Sequence, residues 1–348
     1  MHLDHLHSLI PLERYRSIIA ALEPERGSWL DEFWLRIAAQ VAVLAPDDPR
    51  HLANRIRHLG GALASHAKWY QDLASPLRFA VAAMLIQHHI TVHEFLAEHA
   101  RIAEVLERVG LRSTGFHHTM TVLILMIAPE HLGCGMLEAE RLKAIHLSMK
   151  RFHWWLTGVD DLPACAALAQ CHGSAIEVVT RSEACYQLLH ESGLSRGDHL
   201  QTAANLLPLT GLDPDAAVAR YRALKSRLEA RDGTLLPTHY EVLTLLSLLD
   251  HDPETVIGRL LAVRQELQLF QPDVVAAANL IIAADLTCLD LVRFDRAQQP
   301  LIGTTGEPAM RRSLHTFRLA AAATLSRIDL DLALPATGMF EAGWPQQI

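Results

Sequence analysis

Short, almost wholly apolar runs alternate along the chain with longer segments in which apolar residues recur every three or four positions. Five of the short runs open on one or two polar residues: "HHTMTVLILMI" from His117, "DDLPACAALAQ" from Asp160, "DHLQTAANLLPL" from Asp198, "HYEVLTLLSLL" from His239 and "DVVAAANLIIA" from Asp273. Their starts lie 34 to 43 residues apart, and "SPLRFAVAAMLI" from Ser75 extends the series toward the N-terminus. A run apolar on every side predicts a helix enclosed by others, whereas one apolar stripe predicts an outer helix with a wet face. Repetition at this interval is the mark of stacked helical hairpins.

The longer segments carry start and stop signals. Asp48-Pro49, Asp213-Pro214 and Asp252-Pro253 each place a capping aspartate before a proline at the first helical position. Thr91 followed three residues on by Glu94 forms a capping box. Gly110, Gly158, Gly193 and Gly233 stand where the long helices should end. The predicted fold is therefore all-α: an α-solenoid-like array of about six hairpins with a period near 40 residues, an irregular bundle being the alternative. No strand-like alternation of useful length appears. We divide the chain into an N-terminal segment (1–27), a hairpin repeat domain (28–290), and a C-terminal loop, helix and tail (291–348).

Composition narrows the function classes. Half of the 348 residues are hydrophobic but only 6% are aromatic, which suits close-packed helices. A formal net charge of −8 and the lack of a basic stripe argue against nucleic acid as a partner. The longest apolar runs, 120–128 and 274–284, fall short of the roughly 20 residues a bilayer span needs. No secretory signal opens the chain, and its five cysteines form neither a CxxC pair nor an evenly spaced framework. A cytoplasmic protein with reduced thiols is expected. Walker, GxGxxG, GxSxG and kinase signatures are absent.

"SPLR" (75–78), "DDLPACAALA" (160–169), "GDHLQ" (197–201) and "HYEVLTLLSLLD" (239–250) recur in an order and spacing that resembles the bacterial domain of unknown function 4003 family. The likeness extends from about residue 30 to about residue 290. It implies an all-helical bacterial protein and carries no activity to transfer.

Aligning the repeats puts His117, Asp160, Asp198, His239 and Asp273 in one column and His118, Asp161, His199, Tyr240 and Val274 in the next. Both columns fall at the N-termini of the inner helices, and together they define a candidate rim. Aspartate there is explained by capping alone, with Asp160 the expected cap and Asp161 the less explained of the two; histidine is a poor cap. His and Asp also suit a divalent metal, with His118, Asp161, His199 and His239 the candidate ligands. Helix N-termini equally favour an anion, toward which Arg78 adds positive charge. Trp155, in the aromatic cluster "RFHWW", is a candidate pocket wall. Two functions stay open: a binding or scaffold module that engages a protein, peptide or small molecule through a concave face or rim, and a metal-dependent enzyme or metal-binding protein working at that rim.

Overall fold

The structure is a computed structural model, and it describes residues 10–22, 29–66, 72–112, 115–127, 135–233, 235–270, 276–298, 318 and 320–324. Residue 273, the N-terminal histidines 2, 5 and 7, Cys134 and the tail aromatics 340 and 344 lie outside them.

Local chemistry starts the long helices where the prolines predict. The Asp213 carboxylate accepts from the Ala216 backbone N–H at 2.9 Å, Asp252 from Thr255 at 3.0 Å and Asp48 from Arg50 at 2.9 Å. Thr91 and Glu94 form the reciprocal capping box, with the Thr91 N–H donating to the Glu94 carboxylate at 2.8 Å. Gly110, Gly193 and Gly233 then turn the chain at φ of 82°, 96° and 84°, values that an L side chain rarely adopts. Gly158 differs from expectation. Its φ is −121°, and it opens a turn into the next helix rather than closing the last one.

Fourteen α-helices run from Pro11 to Gln298, residues 318 and 320–324 are helical as well, and none of the described residues is in a strand. The odd-numbered ones are α1 (Pro11–Leu22), α3 (Pro49–His66), α5 (Val92–Arg108), α7 (Met136–Phe152), α9 (Ala175–Glu191), α11 (Pro214–Asp232) and α13 (Pro253–Phe270). The even-numbered ones are α2 (Trp29–Ala42), α4 (Leu77–His88), α6 (Gly115–Ile127), α8 (Leu162–Leu168), α10 (Asp198–Leu206), α12 (Tyr240–Ser247) and α14 (Ala276–Gln298). Odd helices bury one stripe, such as Ala217, Val218, Tyr221, Leu224 and Leu228 of α11. Even helices are enclosed: every residue of α8 and of α12 is buried.

Each odd helix packs against the even helix that follows it. One device recurs between the two. Arg14 of α1 donates to the carbonyls of Val43 and Ala45 just past α2, at 3.2 and 2.7 Å. Arg141 of α7 does the same for Ala169 and Cys171 past α8, at 2.9 and 2.6 Å. Arg220 of α11 reaches Leu249 past α12 at 3.3 Å. A guanidinium with five donors suits a helix end where several carbonyls lack partners. The α1 helix, which the sequence reading assigns to a separate segment, packs on α2 and α3. The α14 helix runs through position 290, where that reading draws a boundary.

The inner helices pack side by side: α2 on α4, α6 on α8, α8 on α10, α10 on α12 and α12 on α14. The last returns to the first, because α14 also packs on α1 and α2. Outside, the Arg16 side chain of α1 meets Glu266 of α13 at 3.3 Å and lies over the Phe270 ring at 5.5 Å.

Candidate functional site

The inner helices are entered in a way that changes the reading of the N-terminal rim. A 3₁₀ turn, Val159–Asp161, leads into α8. Asp161, fully buried, accepts the Gly158 N–H at 2.9 Å and closes that turn. Asp160 is half-buried and its carboxylate lies against Gly158, where an added Cβ would collide with it. The carboxylate with the capping role is thus the second aspartate, not the first. Gln201 of α10 donates to Asp161 at 3.3 Å and to Thr157 at 3.2 Å, while His146 of α7 donates to the Gly158 carbonyl at 3.0 Å. Burial holds the His146 ring below the usual histidine range, so this donor is neutral at physiological pH.

The other rim residues divide among separate partners. Asp198 is the first residue of α10 and caps nothing; the turn before it is made by Gly197 at φ 142°. His199 pairs through Nδ1 with the buried Glu241 of α12 at 2.8 Å. The Tyr240 hydroxyl accepts from the Ser195 N–H at 3.1 Å. His239 ends the Pro237–His239 turn, and burial lowers its pKa despite Asp232 nearby. His118 is buried edge-to-face on His99, ring centroids 5.0 Å apart, and both are held below the normal range by burial, His99 at about 4. His117 is half-buried beside the Phe116 ring. Arg78 bonds the Ala74 carbonyl at 3.2 Å and lies over Phe79. The structure thus joins Asp161 to Gln201 and His199 to Glu241, and gives the rest neighbours of their own. Among the described residues, no three His, Cys, Asp or Glu side chains are grouped to hold a metal ion.

Trp155 is 61% exposed, stacked edge-on against Trp154 and His153. His153 in turn bonds Glu183 at 2.7 Å beside Tyr186, at a narrow cleft between α7, α9 and α10 that encloses about 240 Å³.

A second cleft lies among the inner helices. Gln40 of α2 and Leu44 just past it, Met84, Gln87 and His88 near the end of α4, Ile127 at the end of α6, and Asp285 and Leu289 in the middle of α14 line this cleft. Arg318, Ala321 and Ala322 complete it. It encloses about 490 Å³ of atom-free space, part of it open to solvent. Its chemistry is set by Asp285, only 3% exposed. One oxygen of this carboxyl has no hydrogen-bond partner among the described residues, nor has the Gln40 Oε1. Burial pushes the Asp285 pKa up to about 8, which keeps the group largely protonated at neutral pH. Arg318 is half-buried, and burial pulls its guanidinium down to about 10, leaving it charged. Its lining, mostly apolar with a few convergent polar atoms, has the composition of a small-molecule pocket.

Sequence reasoning missed Asp285, Gln201, Glu241 and His146. For Asp285 a signal existed: the apolar run 274–284 ends only because an aspartate interrupts it, while the helix continues to Gln298. No described helix is long and apolar enough to cross a membrane.

Comparison with known proteins adds identity without activity. The chain is similar to the uncharacterized protein YeaA of Bacillus subtilis (strain 168), at 24% identity over 208 residues that make up 58% of this chain and 62% of that protein. The match thus spans less than two thirds of that relative. No solved structure matches. A family model covers α3 to α14, Asp285 included, and the chain belongs to the family it defines, described as protein of unknown function DUF4003, over residues 53–291.

Proposed function

We propose that the protein is a helical-repeat binding protein whose hairpins close into an annular array, with a small-molecule site inside it where α2, α4, α6 and α14 converge. The packing of α14 on α1 and α2, and of Arg16 on Glu266, supports closure. The buried Asp285 carboxyl facing the 490 Å³ cleft carries the binding reading. A buried polar atom without a partner is rare and destabilising unless a ligand or water completes it. Among the described residues, Asp285 caps no helix and forms no ion pair. The N-terminal rim then has a structural role, with Asp161–Gln201 and His199–Glu241 fastening adjacent inner helices. That Cys171, Cys185 and Cys288 form no disulfide among the described residues supports a reducing compartment.

The test is a thermal-shift screen with simple amines, carboxylic acids, zwitterions and polyols, run on the native protein and on Met84→Trp, which fills the cleft. We expect at least one class to raise the melting temperature of the native protein and not of the variant. If no class does, or if the variant responds equally, the cleft is not a ligand site.

A further inference from the structure

The end of α7 carries an exposed aromatic cluster that neither the packing nor the cleft at Asp285 uses. Phe152, Trp154, Trp155 and Val159 fall close together in sequence and all face solvent, the two tryptophans at 74% and 61% exposure. Leu147, one helical turn before Arg151, is exposed as well. The indoles meet edge to face, ring centroids 5.8 Å apart, and stand on a fixed base. Trp155 lies on the His153 ring at 6.1 Å, and His153 is held by Glu183 at 2.7 Å and by the Tyr186 ring at 4.3 Å. So much aromatic surface in water is unfavourable, and exposed clusters of this kind mark contact surfaces.

Charge narrows the contact. The stretch from Arg141 to Val159 contains no Asp or Glu, in a chain whose net charge is −8. Lys150 and Arg151 are exposed in the last turn of α7, and neither forms an ion pair among the described residues. Both suit the negative end of the helix dipole, which does not account for the tryptophans beside them. Arg196, also exposed, lies near enough to Tyr186 to act on its hydroxyl. Of the acids on neighbouring elements, Glu183 is engaged by His153, Asp160 is half-buried against Gly158, and Asp198 is exposed. Three exposed cations therefore face one exposed carboxylate.

These features select among occupants. A second copy of the chain in a two-fold contact would set the cations of one patch against the same cations of the other. An apolar groove on a partner would cover the indoles and leave Lys150 and Arg151 desolvated without partners. An anionic lipid surface matches both parts, because indoles favour the headgroup level, apolar side chains enter the acyl boundary and cations meet lipid phosphates.

We propose that the end of α7 is a membrane-contact site, at which Phe152, Trp154 and Trp155 enter the surface of an anionic bilayer and Lys150 and Arg151 bind its headgroups. The contact lies on the bilayer and needs no spanning segment. It is independent of the ligand reading of the Asp285 cleft.

Vesicle flotation of the unmodified protein tests it, with vesicles of phosphatidylcholine alone and vesicles in which one third of the lipid is phosphatidylglycerol. The protein should float with the anionic vesicles at low salt, and at least about tenfold less with the neutral ones or at high salt. Trp154→Ser with Trp155→Ser should weaken binding to anionic vesicles at least about tenfold. Lys150→Gln with Arg151→Gln should weaken it by about tenfold or more and reduce its dependence on salt. Flotation with neither vesicle would overturn the proposal and leave a protein partner as the reading of the patch. Equal flotation with both vesicles at every salt concentration, or a serine variant that floats as the native protein does, would overturn it too. The comparison of the two vesicles on the native chain stands even where a variant fails to fold.

Discussion

Asp285→Asn should make the protein more stable at neutral pH and remove a pH dependence that runs against the usual direction for a carboxylate. Asp285 is buried and its pKa is raised to about 8, against about 3.9 in an unfolded chain. Between those values the folded state holds a proton that the unfolded state has lost. Stability from this group is therefore fully present below the unfolded pKa and declines as pH rises toward 8. Each pH unit inside the window is worth about 1.4 kcal/mol, so wild type should lose about 4 kcal/mol relative to the variant between pH 5 and pH 8. At pH 7 the aspartate destabilises the protein by about 4 kcal/mol, of which the desolvated amide of asparagine takes back roughly 1–3. The net gain for the variant is thus about 1–3 kcal/mol. Urea denaturation of both proteins at several pH values reads the difference, and subtracting the profiles cancels His88, Arg318 and every other group the two share. Parallel profiles would refute the reasoning, since they would mean that water or an unseen partner already solvates Asp285.

Three further outcomes follow from the same geometry. Asp161→Ala should cost about 2 kcal/mol, because a buried carboxylate bonded to Gly158 and Gln201 is lost, while Asp160→Ala should stay within about 0.5 kcal/mol; equal losses in a denaturation titration would restore the assignment of the cap to Asp160. His89 closes α4 at φ 57° in the left-handed region, so His89→Gly should stabilise by about 1 kcal/mol, and a melting temperature that falls would show that the His89 side chain has a role of its own. His99, at about 4, is held neutral by burial beside His118, so the native state loses stability as pH falls from about 6.5 toward 4, by roughly 3 kcal/mol. His99→Leu should flatten that acid limb, and an unchanged limb would place the effect elsewhere.

What was legible in the sequence was local. Asp48, Asp213, Asp252 and the Thr91–Glu94 box act within one turn of their own helix, so spacing alone identifies them. The inner and outer helices were legible for a related reason, as enclosure on all sides removes the polar face. The rim was misassigned in detail because α8 and α12 are entered through 3₁₀ turns, which move the cap by a residue, so that Asp161 rather than Asp160 closes one of them. The cleft was not legible, since it exists only where α2, α4, α6 and α14 converge with 318 and 320–324. No spacing rule links Gln40 to Asp285, which lie at opposite ends of the repeat and meet because the last inner helix packs on the first.

The central claim is that the cleft, not the N-terminal rim, is where this protein binds a ligand, and Met84 reports on it directly. Methyl-¹³C labelling of the eight methionines gives a sparse spectrum, in which Met84→Leu identifies the resonance from the cleft wall and Met149→Leu the one from the narrower cleft at α7. Titration with the amine, acid, zwitterion and polyol probes should shift the Met84 methyl for the probe that stabilises the protein and leave the Met149 methyl in place. A stabilising probe that moves Met149, or that moves neither, would contradict the account.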